Sequence, residues 1–397
     1  MRPLLFICVL LSVAIGAASA QDRPRARDLG IQVGIFPPGA NNAITDVPGV
    51  LVGSLTLREG DSIATGLTAI LPHSGNIYRD RVPAAVHVLN GYGKMLGIAQ
   101  VQELGELESP ILLTCTLCVW RAADGLVAHL LSQPGMETVR SINPVVAETN
   151  DGRLNDIRSR PIRSEHVESV LARARAGVVD EGSVGAGTGT VAFGWKGGIG
   201  TSSRRIPGAL GIGDYTVGVL VQANFGGILT INGAPVGREL GRYSFADRLE
   251  RGAGDADGRG SIIVVIATDA PLDAFALEGL ARRATLGLSR TGSFSSFGSG
   301  DFIIAFSTAP SLRRPNVVPT DGREPSPVAT ITALRQDRLS PVYQAVVEAT
   351  EEAIYNSLFR ATSVRYRGTT VEPLPLDRTL EILRKHNALS STGANRQ

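Results

Sequence analysis

The sequence predicts an α/β or α+β fold, built as one large domain or two smaller ones, and three observations carry that expectation. The 397 residues are 43% hydrophobic and 19% charged, which supplies a sizeable core and too little charge for disorder. The 46 glycines and 22 prolines follow no period, so they mark many tight turns and exclude collagen, coiled coil and repeat folds. Short β-branched runs also alternate with stretches of helical spacing. A formal net charge of +2 with interspersed signs offers no basic stripe to a polyanion. A small ligand is therefore expected, and no nucleic acid.

The chain opens with Arg2, an apolar run over residues 4–16, then Ala18-Ser19-Ala20 before polar Gln21-Asp22-Arg23. These are the three parts of a secretory signal, and the run falls short of the roughly 20 residues that span a bilayer. Residues 1–20 are expected to be removed, leaving a periplasmic or secreted protein with no membrane attachment. Cys8 leaves with them, so Cys115 and Cys118 remain. Their Cys-x-x-Cys spacing suggests a redox pair or a metal site. Read as a strand over residues 110–116, however, it sets them about 10 Å apart on opposite faces, too far for a disulfide. Buried thiols are expected instead. His73, His87, His129, His166 and His386 are scattered without ligand spacing, so no metal is expected.

Further along, β-branched runs broken by Pro37-Pro38-Gly39 and Pro48-Gly49 predict hairpins over residues 34–55. Buried strands are expected at 84–89 and 110–114, and helices at 121–131 and 165–176, the second capped by Ser164. Glycines concentrate over residues 184–203, where backbone must approach something closely. Residues 215–223 read as a strand and 240–260 as an exposed loop. That loop runs into Ser261-Ile262-Ile263-Val264-Val265-Ile266-Ala267-Thr268, a strand covered on both faces. A helix over 272–288, a strand over 301–307, a proline-rich connection over 310–327 and helices at 341–359 and 376–385 complete the chain.

Chemistry-bearing motifs are sparse. Gly185-x-Gly187 with Thr190 is a damaged dinucleotide fingerprint, and no phosphate-binding loop occurs, so no cofactor is expected. No Gly-x-Ser-x-Gly elbow occurs either. Glu148, Asp151 and Asp156 form an acidic cluster of the kind that is usually capping or solvated. The Gly260-Ser261 junction remains. A serine released there by backbone cleavage would carry both a hydroxyl and an α-amine of pKa about 7.7 to 8.0, combining nucleophile and base in one residue.

Six segments, in order, give that junction a context: Asn42-Ala43-Ile44-Thr45-Asp46-Val47-Pro48-Gly49-Val50; Pro144-Val145-Val146-Ala147-Glu148-Thr149-Asn150-Asp151-Gly152; Lys196-Gly197-Gly198-Ile199-Gly200-Thr201-Ser202-Ser203-Arg204; Val221-Gln222-Ala223-Asn224-Phe225-Gly226; residues 261–271; and Gly298-Ser299-Gly300-Asp301-Phe302-Ile303-Ile304-Ala305-Phe306-Ser307-Thr308. Over most of residues 27–375 the chain thereby resembles the DmpA-type aminopeptidases, which include L-aminopeptidase/D-esterase-amidases and β-peptidyl aminopeptidases.

The resemblance implies a four-layer αββα sandwich like that of N-terminal nucleophile hydrolases, made as one catalytic domain over residues 21–397. It implies self-cleavage between Gly260 and Ser261 into subunits 21–260 and 261–397, and assembly of the processed αβ heterodimers into a homo-oligomer. It assigns Ser261 as nucleophile and base, Asn224 as oxyanion donor, and Ser299 and Asp301 as the hydroxyl and anion beside the new amine. Glu148 would receive the amino terminus of a peptide, amino-acid amide or ester. Asn150 stands beside it where some members carry a tyrosine, and Thr114-Cys115-Thr116 replaces a frequent Thr-Asn-Thr. Both bear on pocket shape, leaving side-chain and stereochemical preference open. The glycine-rich segment is expected to wall the site or to pack between layers. Two alternatives stand beside this reading: an acyltransferase of the ornithine acetyltransferase kind, which normally presents threonine, and a non-enzymatic periplasmic binding protein.

Overall fold

Strands that are apolar on both faces must be covered on both sides, and stacking achieves this here. The computed structural model of the chain describes residues 23–251, 260–315, 326, 328 and 330–390. Residues 1–20, read above as a secretory signal, residues 252–259 before Gly260 and much of the proline-rich connection lie outside the described residues. The first part of the chain holds β1 (Leu51–Glu59), β2 (Ile63–Leu71), β3 (Asp80–Gly91), α1 (Ile98–Leu104), β4 (Glu106–Leu107), β5 (Ile111–Cys115), α2 (Val119–Leu131), β6 (Val145–Thr149) and α3 (Ser164–Ala172). There follow β7 (Val191–Ala192), β8 (Trp195–Lys196), β9 (Gly198–Ile206), β10 (Tyr215–Asn224), α4 (Val236–Glu239) and α5 (Ala246–Arg251). The last part holds β11 (Ser261–Thr268), α6 (Ala274–Arg290), β12 (Gly300–Ser307), β13 (Arg314–Pro315), α7 (Ser340–Phe359), β14 (Val364–Tyr366), β15 (Thr369–Val371) and α8 (Leu376–Lys385).

One sheet has the order β1-β2-β5-β6, and the other runs β13-β3-β12-β11-β10-β9, with β4 beside β3. Three apolar clusters fill the three spaces of the stack. Leu112 and Val146 of the first sheet meet Leu126 and Val167 of α2 and α3. Ile111 and Ala147, from its other face, meet Ile263, Val265, Phe302 and Ile304 of the second sheet. Ile262, Val264 and Ile303 then meet Leu277, Leu280, Val346 and Ile354 of α6 and α7. This is the αββα order the resemblance implied, and period-2 alternation along β11 assigns odd-numbered residues to the space between the sheets.

The glycine-rich segment packs between layers. A Cβ at Gly200 would stand 2.0 Å from the Ala353 carbonyl of α7, so β9 and α7 meet backbone to backbone. Lys196 is fully buried, its Nζ donating to the carbonyls of Gly187 and Gly197 at 2.8 Å each. Arg204, also fully buried, clamps β9 to α7 through Glu348 at 3.0 Å and Glu352 at 2.7 Å.

Four local expectations need correction. Cys115 and Cys118 are joined by a disulfide with their Cα atoms 5.1 Å apart. The strand ends at Cys115 and a 3-10 turn over Thr116–Cys118 folds the second cysteine back, whereas the expected geometry assumed extended chain to Thr116. Residues 34–50 form irregular chain with a 3-10 turn at Ile44–Asp46 rather than hairpins, because Asp46 is consumed by the Asn41 and Ala43 amides. Ser164 is the first residue of α3 and gives no side-chain cap; the position before it is Arg163. The stretch read as a loop before Gly260 contains α5.

Candidate active site

Three strand ends converge at one edge of the second sheet. In the antiparallel pairing of β10 with β11, Asn224 lies opposite Ser261. In the parallel pairing of β11 with β12, Ser261 lies beside Gly300 and Ile262 beside Asp301. Ser261 belongs to the odd-numbered set of β11 that faces the first sheet, and from that sheet Glu148 arrives at the end of β6. A cavity of about 690 Å³ opens there, lined by Ser261, Gly260, Asn224, Asn150 and Glu148. Tyr92, Lys94, Thr116, Arg153 and Phe297 complete its wall, with Tyr92 and Phe297 in ring contact at 6.1 Å. No histidine is among its lining residues.

The Gly260 carbonyl receives two donors: the Gly300 N–H at 3.1 Å and the Ser261 hydroxyl at 2.6 Å. Both groups donate to the carbonyl of the peptide bond that precedes Ser261. Gly260 itself has no room for a side chain, since a Cβ would stand 2.2 Å from the Asn224 carbonyl oxygen.

Asn224 is oriented by its own contacts. Its Oδ1 accepts from the Val191 N–H at 2.8 Å, and its Nδ2 donates to the Asn150 carbonyl at 3.1 Å. The amide nitrogen has a second proton to donate, and Asn224 lines the cavity. The Asn150 side chain caps the next turn by accepting from the Gly152 N–H at 3.0 Å.

Ser299 and Asp301 do not line the cavity; they stand behind the strand start. The Ser299 hydroxyl donates to Asp301 Oδ1 at 2.6 Å, and both residues are buried. Burial raises the Asp301 carboxyl above the usual carboxylate range, opposed by Ser299, Ser295 and the Ile262 amide. Pairing of β12 with β3 is irregular between Asp301 and Phe302, a bulge of the kind that re-aims side chains beside sites.

Glu148 is buried, and burial raises its carboxyl. The Thr116 hydroxyl and the Lys94 amide, at 3.0 Å from Oε1, oppose that shift. The Lys94 ammonium stands 3.7 Å from the same oxygen. Glu148 is thus a buried carboxylate at a cavity wall, not a capping or solvated residue. Asp151, read with it as one cluster, is also buried: desolvation pushes it up to about 6, opposed by hydrogen bonds including one from Asn155 at 3.0 Å. Lys94, Thr116, Arg153 and the Gly300 amide were not singled out from the sequence; only the departure at Thr114-Cys115-Thr116 pointed toward one of them. Among the described residues no group of three or more His, Cys, Asp or Glu could hold a metal ion.

Comparison with known proteins gives this geometry a setting. The family model "Peptidase family S58" matches residues 42–371. The chain is 40% identical to a beta-peptidyl aminopeptidase, BapA, of Sphingosinicella microcystinivorans, over 98% of this chain and 100% of that one. A Burkholderia sp. beta-aminopeptidase structure is 40% identical, with a TM-score of 0.80 over 91% of this chain and 99% of that one. The L-aminopeptidase D-Ala-esterase/amidase of Ochrobactrum anthropi is 36% identical, with a TM-score of 0.81 over 93% of this chain and 100% of that one. That structure is described as a prototype of the serine aminopeptidases and a variant of the Ntn hydrolase fold.

Proposed function

Because the chain belongs to peptidase family S58 and is an aminopeptidase with the Ntn-hydrolase fold, we propose that it cuts itself before Ser261 and then uses that residue as nucleophile and base. The observation that carries this reading is the pair of donors on the Gly260 carbonyl, the Ser261 hydroxyl at 2.6 Å and the Gly300 amide at 3.1 Å. Attack of the hydroxyl oxygen on the Gly260 carbonyl carbon forms a five-membered tetrahedral adduct whose oxyanion stays on the Gly300 N–H. Collapse breaks the C–N bond and leaves an ester on Ser261 Oγ with the nitrogen protonated as an amine. Water then hydrolyses the ester, giving a Gly260 carboxylate and a free Ser261 α-amine.

In turnover that amine takes the hydroxyl proton as Oγ attacks the substrate carbonyl, and later passes it to the leaving nitrogen. The remaining Nδ2 proton of Asn224 donates to the developing oxyanion. Asp301, on the strand face away from the Ser261 side chain, serves the amine rather than the hydroxyl: its charge favours and orients the ammonium. Glu148 takes the substrate's own ammonium, a charge-assisted contact that confines the enzyme to chain ends. Substrates are short peptides, amino-acid amides or esters, and the names of the relatives extend this to N-terminal β-residues. The leader-like residues 1–20 support export, and processed heterodimers are proposed to form a homo-oligomer.

The test is Ser261→Ala in the full chain. It should give one uncut chain with no activity on amino-acid amides or short peptides, where the wild type gives two fragments. Normal cleavage of the alanine variant would end this reading.

A further inference from the structure

The catalytic cavity continues into a second one of about 620 Å³, and Asn150, Arg153 and Asn224 line both. The second cavity is walled by Phe193, Arg242, Tyr243, Phe245 and Arg248, with Asp247 as its carboxylate. Of these cations, Arg242 is committed: its guanidinium donates to the Gly194 carbonyl at 3.1 Å and sits over the Trp195 ring. Lys94, in the first cavity, faces Glu148 at 3.7 Å. Arg153, at the junction, has neither a hydrogen bond nor an ion pair with any described residue.

The loop that carries Arg153 also orders the site. It leaves β6 after Thr149, next to Glu148, and the Asn150 carbonyl accepts from Asn224 Nδ2 at 3.1 Å. It then turns through Asp151 and Leu154, closed by a bond of 2.9 Å from the Leu154 amide to the Asp151 carbonyl. Both turn residues are buried, at 1% and 0% exposure, which fixes the base of Arg153 while its side chain stays free. The proposed ammonium acceptor, the carbonyl that holds Asn224 and the uncommitted guanidinium therefore follow one another along one stretch of chain. A substrate with its ammonium on Glu148 and its scissile carbonyl at Ser261 has its leaving group still to be held, in a cavity that Arg153 also lines.

We propose that Arg153 anchors the free C-terminal carboxylate of the substrate, so that this enzyme favours dipeptides and tripeptides over their C-terminal amides. This rests on the assignment of Ser261 and Glu148 above. An extended dipeptide spans about 7 Å and a tripeptide about 10 Å, lengths that a long flexible arginine at the cavity junction can serve. Guanidinium and carboxylate match as a two-pronged pair. Solvent at the cavity mouth holds the gain to the order of tenfold.

The experiment compares kcat/KM for a dipeptide with a free C terminus and for the same dipeptide amide, in processed wild type, Arg153→Gln, Arg153→Lys and Arg153→Glu. The expected wild-type ratio, acid over amide, is about tenfold and falls with added salt. Arg153→Gln should bring it close to one, Arg153→Lys should restore part of it, and Arg153→Glu should take it below one. A wild-type ratio near one, or a ratio unmoved by Arg153→Gln, overturns the anchor while leaving the aminopeptidase reading intact. A wild type that cleaves itself and yet turns over neither dipeptide nor amide overturns both.

Discussion

Replacing Gly260 by alanine isolates self-cleavage from turnover. An alanine Cβ at this position would lie 2.2 Å from the Asn224 carbonyl oxygen and 2.4 Å from Phe225 Cα. Ordinary contact begins near 3.4 Å, so relief needs a movement of about 1 Å. One obstacle is the last residue of β10, laddered to β11, and the other is the backbone of the next residue, whose carbonyl accepts from the Phe193 amide, so the scissile peptide is the part that shifts. It moves away from the Gly300 amide and the Ser261 hydroxyl together. A misplacement of 1 Å costs about 10²-fold in rate, or about 2.7 kcal/mol. Cell-free synthesis of residues 21–397 followed by intact-mass measurement reads the result as a time course from uncut chain to fragments of about 25 and 14 kDa, taking the whole chain's mean residue mass. The alanine variant should convert about a hundredfold more slowly. Once cut, residue 260 is a free chain end, so activity per cut molecule should match the wild type. Conversion at the wild-type rate would show that the donors on the Gly260 carbonyl do not set the rate.

Asn224→Ala should still be cut, because the Gly260 carbonyl uses the Gly300 amide, but kcat of the cut form should fall by about 10²- to 10³-fold; equal losses in cutting and turnover would contradict two separate oxyanion donors. Thr116→Val removes a donor from the buried Glu148 carboxylate and should raise KM for amine-bearing substrates several-fold with a smaller change in kcat. Reduction of the Cys115–Cys118 disulfide by a dithiol, which frees the turn that carries Thr116, should act in the same direction, and kinetics before and after reduction check it. Asp151 has a folded pKa raised to about 6 from 3.8, so the stabilisation that accompanies its protonation is complete below about pH 4 and lost as pH rises through 6. Asp151→Asn should therefore lose up to about 3 kcal/mol less stability than wild type between pH 4 and 7, and parallel unfolding curves for the two proteins across that range would refute the assignment.

The elements legible in the sequence are those whose pattern is self-contained. The apolar run of β11 and the helical spacing of α7 and α8 declare themselves, and their bounds fall within a residue of those expected. The cysteine pair did not, because whether the chain stays extended through Thr116 or turns at Cys115 is decided by where the 3-10 turn begins, and periodicity is silent on a single residue. Glu148 and Asp151 look like an ordinary acidic loop until the two sheets close over them and desolvation raises both carboxyls. Arg153 and Lys94 follow no motif; their meaning comes from which charges already have partners, a property of the folded molecule alone.

The position of Ser261 has a physical reason that the sequence only hints at. A residue inside β11 has its amide nitrogen committed to the ladder, and a break there would cost the sheet a central strand. At the first residue the break removes no strand, releases an amine at the sheet edge and leaves the hydroxyl facing the space between the sheets. Gly300, at the matching start of the parallel neighbour, donates its amide to the Gly260 carbonyl as the first ladder bond of that pair. Two strands that begin level with each other thus set the bond proposed to be cut beside a donor to its carbonyl. Lengthening β11 by one paired residue would bury the same serine in a strand where its amine could never be freed.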